Sequence, residues 1–67
     1  MKLFEYVVIK DELMDSDGKI VDPASVIVPV TSVLCRDEKQ AQLIASRAIP
    51  DTEMDNLDRI MVVVRPF

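Results

Sequence analysis

Three segments of the chain carry apolar residues at nearly every position. They are Leu3 to Lys10, Ala24 to Cys35 and residues 59–65. β-Branched and aromatic side chains dominate these segments, which favours β-strands. Since consecutive side chains of a strand point to opposite faces, all three predicted strands are largely apolar on both faces. This pattern is typical of strands that are covered on two sides.

Between the second and third strands the spacing of apolar residues changes to that of a helix, predicted over residues 38–48. Asp37 provides an N-cap, and Gln40 three residues later completes a capping box. Pro50 restricts the residue before it and ends the helix at about Arg47 to Ala48. Four small or aliphatic residues share one helix face: Ala41, Ile44, Ala45 and Ala48. Because three of them are alanines, the helix can lie close to the surface that it covers.

Pro29 interrupts the second strand. Its nitrogen cannot donate a ladder hydrogen bond, so the strand is predicted to lie at a sheet edge or to contain a bulge. Simple alternation assigns one face of this strand to Val26, Val28, Val30 and Leu34. The opposite face is then formed by Ile27, Thr31, Val33 and Cys35.

A polar segment over residues 11–23 is predicted to form a hairpin arm. Its centre, Asp17-Gly18, is a favoured pair for a type I′ turn. Leu13, Met14, Ile20 and Val21 flank that turn. The arm has little apolar surface to pack against itself, so we expect it to be mobile unless a partner holds it.

The order of elements is strand, hairpin, strand, helix, strand, which predicts a single α+β domain over residues 1–67. A strand–helix–strand unit makes its two strands parallel. The first strand then fits between them, giving a three-stranded sheet of order 2-1-3 with an antiparallel central strand. One helix covers one face of this β-β-α-β sheet, and the hairpin arm protrudes from it.

No predicted element remains to cover the other face of the sheet. Leaving such a face in water is unfavourable, so we expect a second copy of the chain or another protein to bury it. The predicted contact residues on the sheet are Phe4, Tyr6, Val28, Val30, Val62 and Val64. Two further apolar residues are candidates: Leu43, nearly opposite the alanine stripe of the helix, and Phe67, which follows the last strand.

Composition argues against several other classes of partner. The net charge of −4 and the scattered basic residues disfavour nucleic-acid binding. No apolar run approaches the roughly 20 residues that cross a bilayer, so no membrane partner is expected. One cysteine and no histidine exclude an internal disulfide and disfavour a zinc site.

The candidate chemical motifs are incomplete. Asp15, Asp17 and Gly18 resemble the first half of a calcium loop, but a leucine stands at position 13 and the later bidentate glutamate is missing. The alternating acids of residues 51–58 lack the glycine. Cys35 precedes a helix N-terminus, which can lower a thiol pKa, but a buried structural role is expected for it. We therefore expect no enzyme activity, no metal and no cofactor.

The layout resembles short proteins of tailed bacteriophages, many of them encoded near virion structural genes. The resemblance lies in MKLFEYVVI, VTSVLCRDEKQAQLIASRAIP and LDRIMVVVRPF, and so spans most of the chain, with residues 11–23 as the part expected to vary. It implies a phage source and a non-enzymatic role. No catalytic residue carries over from it.

Two functional hypotheses follow. The first is a minor virion component, such as a capsid-bound, decoration or tail accessory subunit, that docks on itself or on another phage structural protein through its apolar sheet face. It would be found in the virion, or in the host cytoplasm before assembly. The alternative is a soluble inhibitor of a host protein or of a small anionic signalling molecule. An anionic ligand would require basic side chains to converge at a subunit interface; the candidates are Arg36, Lys39, Arg47 and Arg59.

Overall fold

A computed structural model describes all residues from 1 to 67. Five strands, one α-helix and one 3₁₀ segment follow each other along the chain. The strands are β1 (Lys2–Lys10), β2 (Leu13–Met14), β3 (Ile20–Asp22), β4 (Ser25–Cys35) and β5 (Ile60–Pro66). Helix α1 spans Glu38–Arg47, and the 3₁₀ segment spans Asp51–Arg59. The fold is therefore α+β, as predicted.

The main sheet has the order β4-β1-β5, which confirms the predicted central position of the first strand. β1 is antiparallel to both neighbours, so β4 and β5 run parallel to each other. Tyr6 in the middle of β1 lies opposite Thr31 of β4 and Val64 of β5. Partners in register share a sheet face, and this register therefore decides which side chains meet α1.

Helix α1 covers the face of the sheet that carries Phe4, Tyr6 and Val8. All three are buried, and so are Ala41 and Ala45 of the helix, as the predicted alanine stripe requires. Phe4 packs with Ala41, while Tyr6 and Val8 pack with Ala45. Alanine at these two positions lets the helix approach the aromatic rings of β1 closely.

Local hydrogen bonds fix both ends of α1. The Asp37 carboxylate accepts a bond from the backbone N–H of Gln40 at 2.9 Å, so Asp37 is the N-cap. The Gln40 side chain reaches back to the backbone N–H of Arg36 at 2.7 Å, one residue before the cap. Ala48 is the C-cap, which confirms the predicted helix end.

Strand β4 departs from simple alternation because it contains two irregularities. Between its pairings with Tyr6 and Val8, and again between those with Val8 and Ile9, β4 advances one residue more than β1 does. Pro29 lies in the first of these bulges, on a strand that is also at the sheet edge. The extra residue turns Val28 toward α1, opposite Val8. Val28 therefore does not share a face with Val26 and Val30, contrary to the alternation in the sequence.

The arm forms as predicted, but its turn is of a different type. Gly18 alone has a positive φ, of 80°, whereas a type I′ turn requires two such residues. The N–H of Gly18 donates to the carbonyl of Asp15 at 3.1 Å. The N–H of Asp15 donates to the carbonyl of Lys19 at 2.8 Å. This is a three-residue loop with a left-handed glycine. The Asp15 carboxylate closes it by accepting bonds from the N–H groups of Asp17 and Lys19.

The protruding arm makes the molecule elongated. Its principal extents are 47 × 21 × 16 Å, and its radius of gyration is 13.7 Å. A globular chain of this length is expected to have a radius of gyration of about 11 Å. The acidic 3₁₀ segment connects α1 to β5. Its helical geometry is broken at Asn56.

The close contact between α1 and the sheet yields a stability prediction. Ala45→Leu inserts three carbon atoms against Tyr6 and Val8, where Ala45 has no exposed surface. Overpacking of this kind costs about 1–3 kcal/mol, which urea unfolding at a fixed protein concentration would measure. Gln42→Leu, on the exposed side of the same helix, is the matched control and should change stability little. Equal stabilities of the two variants would contradict the assigned packing.

Candidate docking surface

The sheet face opposite α1 is apolar and uncovered. We call it the open face. Its apolar residues are Leu3, Val7, Ile9, Val26, Val30, Leu34, Met61 and Val63. Val30 and Leu34 on β4 are 64% and 63% exposed, and Met61 on β5 is 51% exposed. A contiguous patch of this kind is typical of an interaction surface.

The structure changes which predicted contact residues belong to this surface. Phe4 and Tyr6 are core residues beneath α1 and are not available for docking. The sequence pattern assigned them to the contact because Phe4/Tyr6/Val8 and Leu3/Val7/Ile9 are about equally apolar. Val28, Val62 and Val64 also lie on the helix-covered face, half-buried against the core. Of the predicted sheet contacts, only Val30 is on the open face.

Leu43 lies outside the open face, whereas Phe67 continues the register of β5 opposite Leu3, at the end of that face. Leu43 is on the outer side of α1 and is 53% exposed, as its position off the alanine stripe predicts. Phe67 follows β5 with its backbone N–H donating to the carbonyl of Leu3 at 3.0 Å. Its side chain is 74% exposed, so it does not complete the core.

One signal in the sequence distinguishes the two faces of the sheet. Glu5 is the only acidic residue within β1. It lies two residues from both Leu3 and Val7 and therefore shares their face of the strand. An unpaired carboxylate is costly inside a core, so the set that contains Glu5 belongs away from the helix. The pattern missed the other apolar residues of the open face: Leu3, Val7, Ile9, Val26, Leu34, Met61 and Val63.

An ion pair lies within the open face. Glu5 and Arg65 are cross-strand partners on β1 and β5, and the Arg65 guanidinium donates to the Glu5 carboxylate. The Glu5 side chain is 13% exposed and that of Arg65 is 73% exposed. Arg65 therefore reaches outward over a carboxylate that is held near the sheet.

A shallow groove of about 230 Å³ lies beside this ion pair. It is lined by Glu5, Tyr6, Val7, Val30, Val63 and Arg65. The groove spans all three strands of the main sheet and is mostly apolar. It can therefore accept an aliphatic side chain from a partner, with the ion pair at its edge.

The basic residues considered for an anion site do not converge within one chain. Arg36 and Lys39 line a second, open groove of about 240 Å³ at the start of α1, together with Asp37, Gln40 and Leu43. Arg47 is in the last turn of the helix. Arg59 is already paired with Asp22. The Asp37 carboxylate in this groove offsets part of the positive charge that an anion would require.

A charged cluster fixes the base of the arm to the body. The Arg59 guanidinium donates to the Asp11 carbonyl at 2.8 Å and to the Asp22 carboxylate at 3.0 Å. Lys10 lies between Asp22 and Glu53, with nitrogen–oxygen distances of 3.7 and 3.5 Å. The hydrogen bond from Arg59 is the main cause that lowers the pKa of Asp22 below its usual 3.8, and Lys10 adds to it. The arm is thus tied at its base, while its apolar residues remain exposed.

Cys35 is buried and its thiol donates to the carbonyl of Asp37 at 3.3 Å. The thiol therefore packs under the helix N-terminus and faces the core rather than solvent. Elsewhere, no three Cys, Asp or Glu side chains are grouped so that they could hold a metal ion. Neither helical segment has the length and apolar character needed to cross a membrane.

No protein-family model, curated protein or solved structure matches this chain. Its function is therefore inferred from its own surfaces. Among these, the open face combines exposed apolar residues with a groove and the largely covered Glu5 carboxylate, and it is the candidate docking surface.

The cluster at the base of the arm yields a pH-dependent prediction. Asp22→Asn removes the negative charge that holds Arg59 and Lys10, so the arm should become more mobile at neutral pH. Backbone ¹⁵N relaxation at Leu13 and Ile20 would detect this change. Asp58→Asn, which alters an exposed carboxylate without an ion pair, should have no such effect.

The wild-type arm should loosen in acid by the same mechanism. Because the folded pKa of Asp22 is lowered, its contribution is fully present above pH 3.8 and is lost as the pH falls through the folded value. Wild type and Asp22→Asn should therefore differ at pH 7 and converge well below pH 3.8. A difference that persists in acid would assign the effect to something other than the Asp22 charge.

Proposed function

We propose that the protein is a non-enzymatic assembly subunit that docks through the open face of its sheet. The observation that carries this proposal is the apolar, uncovered face opposite α1, with Val30, Leu34 and Met61 each more than half exposed. Only six of the 67 residues are buried, so the chain has a small core for a domain that must fold by itself. Burial of the open face would roughly double the number of residues that contribute to a core.

The open face is also suited to specific docking rather than to non-specific adhesion. A typical interface has an apolar centre, and its few polar groups must be paired when they are buried. Glu5 already accepts a hydrogen bond from Arg65, and Ser32 is the polar residue opposite Glu5 on β4. A partner that separated Glu5 from Arg65 without supplying opposite charges would leave buried charges unpaired.

The setting that we propose is the virion of a tailed phage, with the protein as a minor component bound to the capsid or to the tail. Support for this setting comes from the resemblance of the three apolar segments and the helix to short phage proteins. The protruding arm is consistent with it, because an arm with exposed Leu13, Met14, Ile20 and Val21 can reach a neighbouring subunit. A structural role requires no ligand or catalytic group.

The inhibitor hypothesis has less support from the molecule. An anionic ligand would require several free basic side chains in one site. Arg36 and Lys39 share a groove with Asp37, and Arg59 is engaged at the base of the arm. Assembly is therefore the function that we propose.

The proposal predicts that a charge on the open face abolishes incorporation into the particle. Val63 is exposed in the middle of β5, where it lines the groove of the open face, and Val63→Asp places a carboxylate there without disturbing the helix-covered core. We expect this variant to be lost from purified virions, as measured by mass spectrometry of the particles. Tyr6→Asp is unsuitable because Tyr6 is buried.

Leu43→Asp provides the matched control, because Leu43 is similarly exposed but lies on the opposite layer of the molecule. It should be incorporated like the wild type. Circular dichroism of both purified variants would establish that the fold is retained. Absence of the wild-type protein from purified virions, or normal incorporation of Val63→Asp, would contradict the proposal.

A further inference from the structure

We infer that the occupant of the open face is a second copy of this chain, packed face to face about a two-fold axis. This inference rests on the proposed docking function of the open face and specifies the partner. Three features of the molecule support it: the surface area, the distribution of charge, and the arrangement of the Glu5–Arg65 pair beside the groove.

The chain exposes more surface than a typical folded monomer of its size. The chain exposes 4888 Å², whereas a folded monomer of 7.6 kDa is expected to expose about 4,300 Å². The excess is about 600 Å², less than the roughly 800 Å² that each partner buries in a standard interface. The arm contributes part of the excess, and the open face supplies an apolar area suitable for burial.

The charge distribution favours self-association through this face. The chain carries a net charge of −4, so two copies repel each other over most of their surfaces. The open face contains one acidic and one basic side chain, Glu5 and Arg65, and is neutral as a whole. Two copies can therefore meet there with the least repulsion, and their excess negative charge remains in water.

The ion pair is suited to a two-fold axis. In such an interface, a contact between two residues is repeated with the copies exchanged. Arg65 is mostly exposed, whereas Glu5 is held near the sheet. Each Arg65 can therefore bind the Glu5 of the other copy, and all four charges are then paired. Sheets packed in this way lie about 10 Å apart with interdigitated side chains, so Val30 or Leu34 of one copy can enter the groove of the other.

Pairing through the β4 edge of the sheet is less suitable. Edge-to-edge association needs a regular row of free N–H and C=O groups. β4 has Pro29, which provides no N–H, and two bulges that break the row. These features block strand addition at the β4 edge.

A charge-reversal experiment tests the inference. Glu5→Arg makes the open face positive and Arg65→Glu makes it negative, so each variant alone should repel its own copies. Native mass spectrometry at low micromolar concentration should show wild type at twice the 7.6 kDa chain mass and each variant as a single chain. An equimolar mixture of the two variants should restore a dimer with one copy of each, because every charge then faces its opposite.

Lys39→Glu makes the same change of charge as Arg65→Glu on the exposed side of the helix, and it should remain dimeric. Wild type found as a single chain would overturn the inference. A wild-type dimer whose two variants remain dimeric by themselves would also overturn it, since another surface must then form the contact. Variants that are single chains and form no mixed dimer would overturn the exchange of Glu5 and Arg65 between copies. If the wild type is a single chain but Val63→Asp still loses incorporation into virions, the proposed function stands and the partner is a foreign protein.

Discussion

A single helix can cover only one face of a three-stranded sheet, and most features of this molecule follow from that constraint. Helix α1 buries Phe4, Tyr6 and Val8 through a stripe of alanines. The chain has no further helix for the other side, yet it places valine, leucine, isoleucine and methionine there. The hydrophobic effect acts equally on both faces, and we therefore propose that association completes the fold.

The polar residues Glu5 and Arg65 explain how the open face can avoid non-specific association. Glu5 and Arg65 are adjacent across β1 and β5 and satisfy each other in the isolated chain. A partner must either preserve this pair or supply opposite charges in the same positions, because an unpaired buried charge is strongly destabilising. The apolar side chains thus favour docking, and the ion pair restricts which surface can dock. The charged cluster around Arg59 has a separate role, since it orients the arm relative to the sheet.

The element order, the sheet order, the helix and its caps could be predicted from the sequence because each rests on a local pattern or on a chain connection. The side chains that lie on each face of the sheet could not be predicted in the same way. The bulge at Pro29 shifts Val28 to the covered side of β4, and the alternation of apolar residues does not show where an extra residue lies. The sequence pattern places Phe4 and Tyr6 in the contact because the two sides of β1 are nearly equal in hydrophobicity, although Glu5 distinguishes them. The turn type of the arm depended on one backbone angle at Asp17, which the Asp-Gly pair does not determine.

The central claim is that a second copy completes the fold by covering the open face. The most direct test is the midpoint of thermal unfolding as a function of protein concentration, because association of folded chains makes this midpoint concentration-dependent. The account predicts a midpoint that rises steadily between about 1 and about 100 µM chain. A midpoint that is the same at all concentrations in this range would contradict it, since the chain would then fold without a second copy.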